Sequence, residues 1–147
     1  MTAITNLEAQ HYEMAGIMLG LVNQVQGFHG PEQAYSITVQ LAKLSHLLRR
    51  HLAIEDEWFY PAMIASDEPL AASLAAAYRD EVGGIAAAVE SFLMQWNSST
   101  VIGLGFDRFR EELISLFHRI EDRIGREDQE LYPLAVKLGI CNRPLAA

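Results

Sequence analysis

Residues 44–63, LSHLLRRHLAIEDEWFYPAM, and residues 116–135, LFHRIEDRIGREDQELYPLA, carry the same chemically capable side chains at one offset. The differences 118 − 46, 127 − 55, 128 − 56, 132 − 60 and 133 − 61 all equal 72, pairing His46 with His118, Glu55 with Glu127, Asp56 with Asp128, Tyr60 with Tyr132 and Pro61 with Pro133. One position breaks the pattern: His51 stands opposite Arg123. His51-x-x-x-Glu55 places an imidazole and a carboxylate one turn apart on one helix face, where both can bind a cation. Arg123-x-x-x-Glu127 cannot do the same, because a guanidinium is always charged and offers no lone pair.

The elements that must position these residues are helices. Apolar residues recur at spacings of three and four in four segments, separated by turn-forming clusters at residues 27–31, 66–69 and 97–105. The first stripe is Leu7, His11, Met14, Met18, Leu21 and Val25; the second is Ile37, Leu41, Leu44, Leu48, His51, Glu55 and Trp58, with Pro61 ending or kinking the helix just beyond. The third runs Leu74, Tyr78, Val82, Ile85, Val89, Phe92 and Trp96 as one helix with Glu81 on its edge, and the fourth runs Phe109, Leu113, Leu116, Ile120, Arg123, Glu127, Leu131 and Leu134. The pattern predicts an all-α fold, an up-down-up-down four-helix bundle with a two-fold internal repeat, as one domain over residues 1–147.

His11, His51, Glu55, Arg123 and Glu127 lie on these apolar stripes and should face the interior, with Glu81 at the margin. An uncompensated buried charge costs several kcal/mol, so the cluster requires a metal ion or an internal ion-pair network. His46 and His118 are not part of it. His46 is 55 − 46 = 9 residues from Glu55, and at about 100° per residue it points to the opposite side of the helix. His29 reads as a solvated loop residue.

Composition narrows the partners. With 50% hydrophobic and 20% charged residues the chain is globular, and a net charge of −8 argues against nucleic acid or an anionic membrane. One cysteine, Cys141, excludes an intramolecular disulfide. No long apolar run or leader-like N-terminus is present, and the expectation is a cytoplasmic protein.

The two copies ending in Tyr-Pro, with a His on the first helical stripe, resemble the hemerythrin-like (HHE cation-binding) domain family over nearly the whole chain. In that family a helical bundle holds a non-haem di-iron centre. The resemblance implies that His11 is the first-helix ligand, His51 and Glu55 the second-helix pair, and Glu127 the fourth-helix carboxylate. Arg123 occupies the fourth-helix His position, and Val82, with Glu81 beside it, the third-helix His position. Both departures belong to one iron, so the implied cofactor is one non-haem metal ion, iron first with Mn or Zn as alternatives, and not a di-iron centre. Arg123 and Glu81 would then substitute for the second site, and Glu55, Glu81 and Glu127 would balance Arg123 plus a divalent ion.

The function this implies is a metal-binding sensor or regulatory module for oxygen or nitric oxide, a binding protein and not a proven enzyme, with a small gas or a protein as partner. Two alternatives stand beside it. One is a mononuclear iron enzyme acting on peroxide or a small gas. The other is a metal-free interaction domain in which protonated His11 and His51 supply the missing charge.

Overall fold

The computed structural model describes residues 1–28 and 30–144; His29 lies outside the described residues. Every regular element among them is helical: α1 (Ala3–Gln26), α2 (Pro31–Ile54), α3 (Tyr60–Ile64), α4 (Pro69–Val82), α5 (Ile85–Gln95), α6 (Ser99–Leu104), α7 (Phe106–Arg126) and α8 (Tyr132–Lys137), with π-helical turns at Glu55–Phe59 and Glu127–Leu131. None of these helices is long and apolar enough to cross a membrane.

Local chemistry sets the ends. Thr2 caps α1 by accepting from the Thr5 amide at 3.1 Å, and Pro31 opens α2 where its missing N–H costs nothing. Glu68 caps α4 and Ser98 caps α6 in the same way. The Cys141 carbonyl accepts from Ile4 N at 3.2 Å, so the end of the chain is laced to its start.

α1 packs on α2 and α7, and α5 packs on the same two helices. The stripes are buried as their spacing requires in α1, α2 and α7. Apolar packing forms two cores: one holds Met14, Leu21, Leu48, Phe92 and Ile120, the other Ile4, Leu7, Phe59, Tyr60, Leu131 and Tyr132. Each stripe is interrupted by polar residues where it passes between the cores: His11 follows Leu7, His51 and Glu55 follow Leu48, and Arg123 and Glu127 follow Ile120. Five of the six buried polar residues named among those described fall in this layer; Ser45 is the sixth.

Several expectations need correction. The third segment is two helices, because Gly83 and Gly84 break it and Gly84 adopts a left-handed φ of 74° that favours glycine. Glu81 lies before that break, near the close of α4, whose buried residues are Ala71, Ala75 and Val82 with Leu74 and Tyr78 only half-buried; it faces outward, pairs with Arg126 and takes no part in the buried layer. Residues 97–105 hold a short helix, α6, whose Ile102 is fully buried.

Pro61 does not end the helical run. The π turn before it lets the Tyr60 N–H reach the Glu55 carbonyl, and the chain continues into α3. Pro133 follows the second π turn in the same relation.

The glycine break generates a first test. Gly84→Ala should cost about 1–2 kcal/mol in urea unfolding, since an L side chain is strained in the left-handed region. Gly83→Ala should cost more, because its Cβ would stand 2.2 Å from the Arg79 carbonyl oxygen. A Gly84→Ala protein as stable as the parent would show that the break relaxes freely.

Candidate metal centre

α1 contributes His11, α2 contributes His51, and the two π turns open on Glu55 and Glu127. One donor atom from each of these four buried residues lies within 4.8 Å of every other. Two ligands on one ion at bond lengths of about 2.0–2.2 Å stand at most about 4.4 Å apart, so the four are at or near the spacing of one coordination sphere.

Imidazole geometry is the most telling part. His11 Nδ1 is 2.7 Å from Asp128 Oδ1, and His51 Nδ1 is 2.7 Å from Gln10 Oε1. Both partners accept, which places a proton on each Nδ1 and turns each Nε2 inward, where it offers a lone pair to a cation or, in an imidazolium, a proton to a carboxylate such as Glu55 Oε1, 3.0 Å from His51 Nε2. The two Nε2 atoms face each other at 3.1 Å. Two lone pairs at that distance repel unless a positive charge is shared between them. Glu127 Oε1 sits 3.3 Å from His11 Nε2 and is buried without a hydrogen-bond partner. Two inward lone pairs and an orphaned carboxylate oxygen fit a metal ion.

The other half of the layer is filled by protein. Arg123 Nε donates to Glu127 Oε2 at 3.0 Å, while Nη2 donates to Glu55 Oε1 at 3.3 Å and to Asp56 Oδ1 at 2.9 Å. Tyrosines cross between the halves: Tyr60 donates to Glu127 Oε2 at 2.9 Å and Tyr132 to Glu55 Oε2 at 2.6 Å. Burial and the adjacent carboxylates push both phenols up, so they remain donors.

The carboxylates diverge. Burial pushes the Glu55 carboxyl up, but the His51 imidazole and the Arg123 guanidinium outweigh it and hold it well below the usual range. Glu127 is pushed well above that range by burial and then by the Glu55 charge, against which Arg123 is insufficient. Burial alone would lower Arg123, yet Glu55 and Glu127 raise it.

The structure thus gathers His11, His51, Glu55, Glu127 and Arg123, and leaves out Glu81. The expected balance changes with it. Without Glu81 the buried groups sum to −2 + 1 = −1, and a divalent ion would take them to +1. Asp56 and Asp128, half exposed, supply the counter-charge from outside. His46 and His118 are exposed, as helical geometry requires.

Asp56, Asp128, Tyr60 and Tyr132 had a signal in the sequence, their repetition at the offset of 72. Gln10 had none, since its role depends on how α1 lies against α2.

Two tests follow for the chelated protein. Arg123→Ala should cost about 3–5 kcal/mol in urea unfolding, the scale for stripping one partner from a buried ion pair; a loss below about 1 kcal/mol would contradict the network. A raised folded-state pKa at Glu127 contributes stability that is fully present below the unfolded carboxyl value of about 4.3 and lost as pH rises through the folded value. Glu127→Gln, permanently neutral, should therefore match the parent near pH 4.5 and exceed it at pH 8. Parallel pH profiles for the two proteins would refute this.

No curated protein and no solved structure matches the chain. A sequence model of the hemerythrin HHE cation-binding domain matches residues 2–135. The chain belongs to the hemerythrin HHE cation-binding domain family.

Proposed function

We propose that this chain is a metal-binding sensor or regulatory module that holds one non-haem metal ion, iron first, through His11, His51, Glu55 and Glu127. The observation that carries it is the pair of Nε2 atoms facing each other at 3.1 Å with both Nδ1 positions committed outward. Family membership supports metal binding as such. Arg123 takes the place of a second ion, since it alone bridges Glu55 and Glu127.

The architecture in this reading is one up-down-up-down four-helix bundle of two similar halves, with α4 and α5 together forming the third helix. Its support is the packing of α1 and α5 on α2 and α7, and the π turns that open 72 residues apart, at 55 and 127. The cytoplasm is its proposed compartment.

A bound ion would supply Lewis acidity and a binding position for a small ligand. What the chain itself supplies is orientation and exclusion of water. Asp128 and Gln10 hold the imidazoles in one tautomer, the tyrosines tie each carboxylate to the opposite half, and the two apolar cores close the layer from both sides. A cavity of about 10 Å³ adjoins His51, Glu55, Arg123 and Glu127, with Leu52, Ile85 and Ile124 on its apolar walls. That volume is at the lower limit for one water molecule, so a gas ligand would need the layer to open slightly.

The metal-free interaction domain is favoured by a different observation. Three of the four Glu55 and Glu127 oxygens already have donors within the protein, leaving Glu127 Oε1 alone unpaired. Elemental analysis separates the readings. Protein purified without chelator should carry one transition metal per chain, and His51→Ala should carry none. Two irons per chain with an oxo-bridged absorption spectrum would overturn the one-ion stoichiometry, and no metal in protein reloaded with Fe(II), Mn(II) or Zn(II) would sink the metal reading altogether.

The stability added by metal should also fall as the solution is acidified. Protons compete with the ion for His11, His51 and Glu127. A metal increment that grows toward pH 5.5 would contradict these residues as ligands.

A further inference from the structure

Arg123 is fixed far more firmly than a charge-balancing side chain needs to be. Its side chain is 4% exposed, it bonds Glu55, Asp56 and Glu127 at 2.9 to 3.3 Å, and its guanidinium carbon lies 5.1 Å from the centre of the Tyr60 ring. A guanidinium does not deprotonate in proteins. The positive charge is permanent, and it stands one carboxylate away from whatever Glu55 and Glu127 bind.

We propose that Arg123 sets the valence of the ion, making the donor set of His11, His51, Glu55 and Glu127 prefer a divalent ion to a trivalent one. This rests on the one-ion reading. The physical argument is Coulombic: raising the ion from +2 to +3 adds one more unit of repulsion against the guanidinium. At an effective dielectric of about 20 this amounts to about a hundredfold in the ratio of binding constants.

The outward aspartates do not cancel the effect. Asp56 is spent on Arg123 and Asp128 on His11, and both are close to half exposed, where water screens them. Asp128 is unchanged by substitutions at Arg123, and Arg123→Lys, which keeps a cation beside Asp56, separates loss of the charge from loss of the fork. Two imidazoles and two carboxylates without Arg123 would have no such bias against the higher charge.

Zn(II) and Ga(III) test the inference, since they are redox-inert ions of charge two and three. Their affinities are measured by competition with chelators of known strength, for the parent protein, Arg123→Gln and Arg123→Lys, with far-UV circular dichroism to confirm folding. Arg123→Gln should shift the Zn(II)-to-Ga(III) affinity ratio toward Ga(III) by about a hundredfold, whereas Arg123→Lys, which keeps the charge and loses the fork, should stay within a few-fold of the parent. A structural role alone would weaken both ions together and leave the ratio in place.

A ratio within about threefold of the parent in Arg123→Gln, or a lysine variant that shifts as far as the glutamine one, would overturn the assignment. Should both variants fail to fold, the parent protein decides it. Ga(III) should then be excluded at concentrations where Zn(II) saturates, and stoichiometric Ga(III) retention overturns the proposal. Binding of neither ion by the folded parent is a separate result, and it removes the one-ion reading itself.

Discussion

Two carboxylates with no solvent exposure, Glu55 and Glu127, face one another across the interior, and the protein must compensate both. Bulk water cannot do it, because the apolar cores close the layer on either side. One guanidinium and two phenols supply most of the answer, and each reaches across between the chain segments. Tyr60 serves Glu127, Tyr132 serves Glu55, and Arg123 serves both. The carboxylates therefore act as the fastener between the 51–60 and 123–132 segments, and the helices cannot slide past one another without stranding a buried charge.

The π turns follow from that constraint. Each begins at the buried carboxylate and ends just before the tyrosine, so the extra residue re-aims the chain between the two groups that must reach opposite halves. Trp58, Phe59 and Tyr60 are buried in succession, which a single face of a regular α-helix cannot accommodate. The wider turn also leaves room for Pro61 and Pro133, which lack an N–H and would press on the preceding carbonyl in a regular helix. π-bulges gather at functional sites for this kind of reason: they spend regular hydrogen bonding to gain a side-chain direction.

How much of this was legible in the sequence depended on whether a signal was periodic. His11, His51, Glu55, Arg123 and Glu127 stood out because an ionisable group on an apolar stripe is expensive, and all five are buried. Glu81 stays outside the layer because α4 turns Ala71 and Ala75 to the core and leaves Leu74 and Tyr78 half-buried, a choice between two apolar faces that spacing alone does not make; the Gly83–Gly84 break then lets α5 begin on a new face. Asp56 and Asp128 lie off the stripes and were marked only by their repetition 72 residues apart, whereas Gln10 carried no signal and is brought in by the way α1 lies against α2. The π turns were hidden because hydrophobic periodicity assumes one helical pitch.

The single departure between the two copies has a larger consequence than its size suggests. In one half the residue one turn before the carboxylate is His51, which offers a lone pair; in the other it is Arg123, which offers a fixed charge. The carboxylates respond unequally: Glu55, beside His51 and within reach of Arg123, is held ionised, and Glu127 is driven toward its neutral form. Arg123 alone cannot keep both charged. A symmetric ligand set would demand two cations, and a fully arginine-compensated one would demand none. This site stands between them, with one guanidinium for two carboxylates and the Glu127 oxygen nearest His11 left without a hydrogen-bond donor.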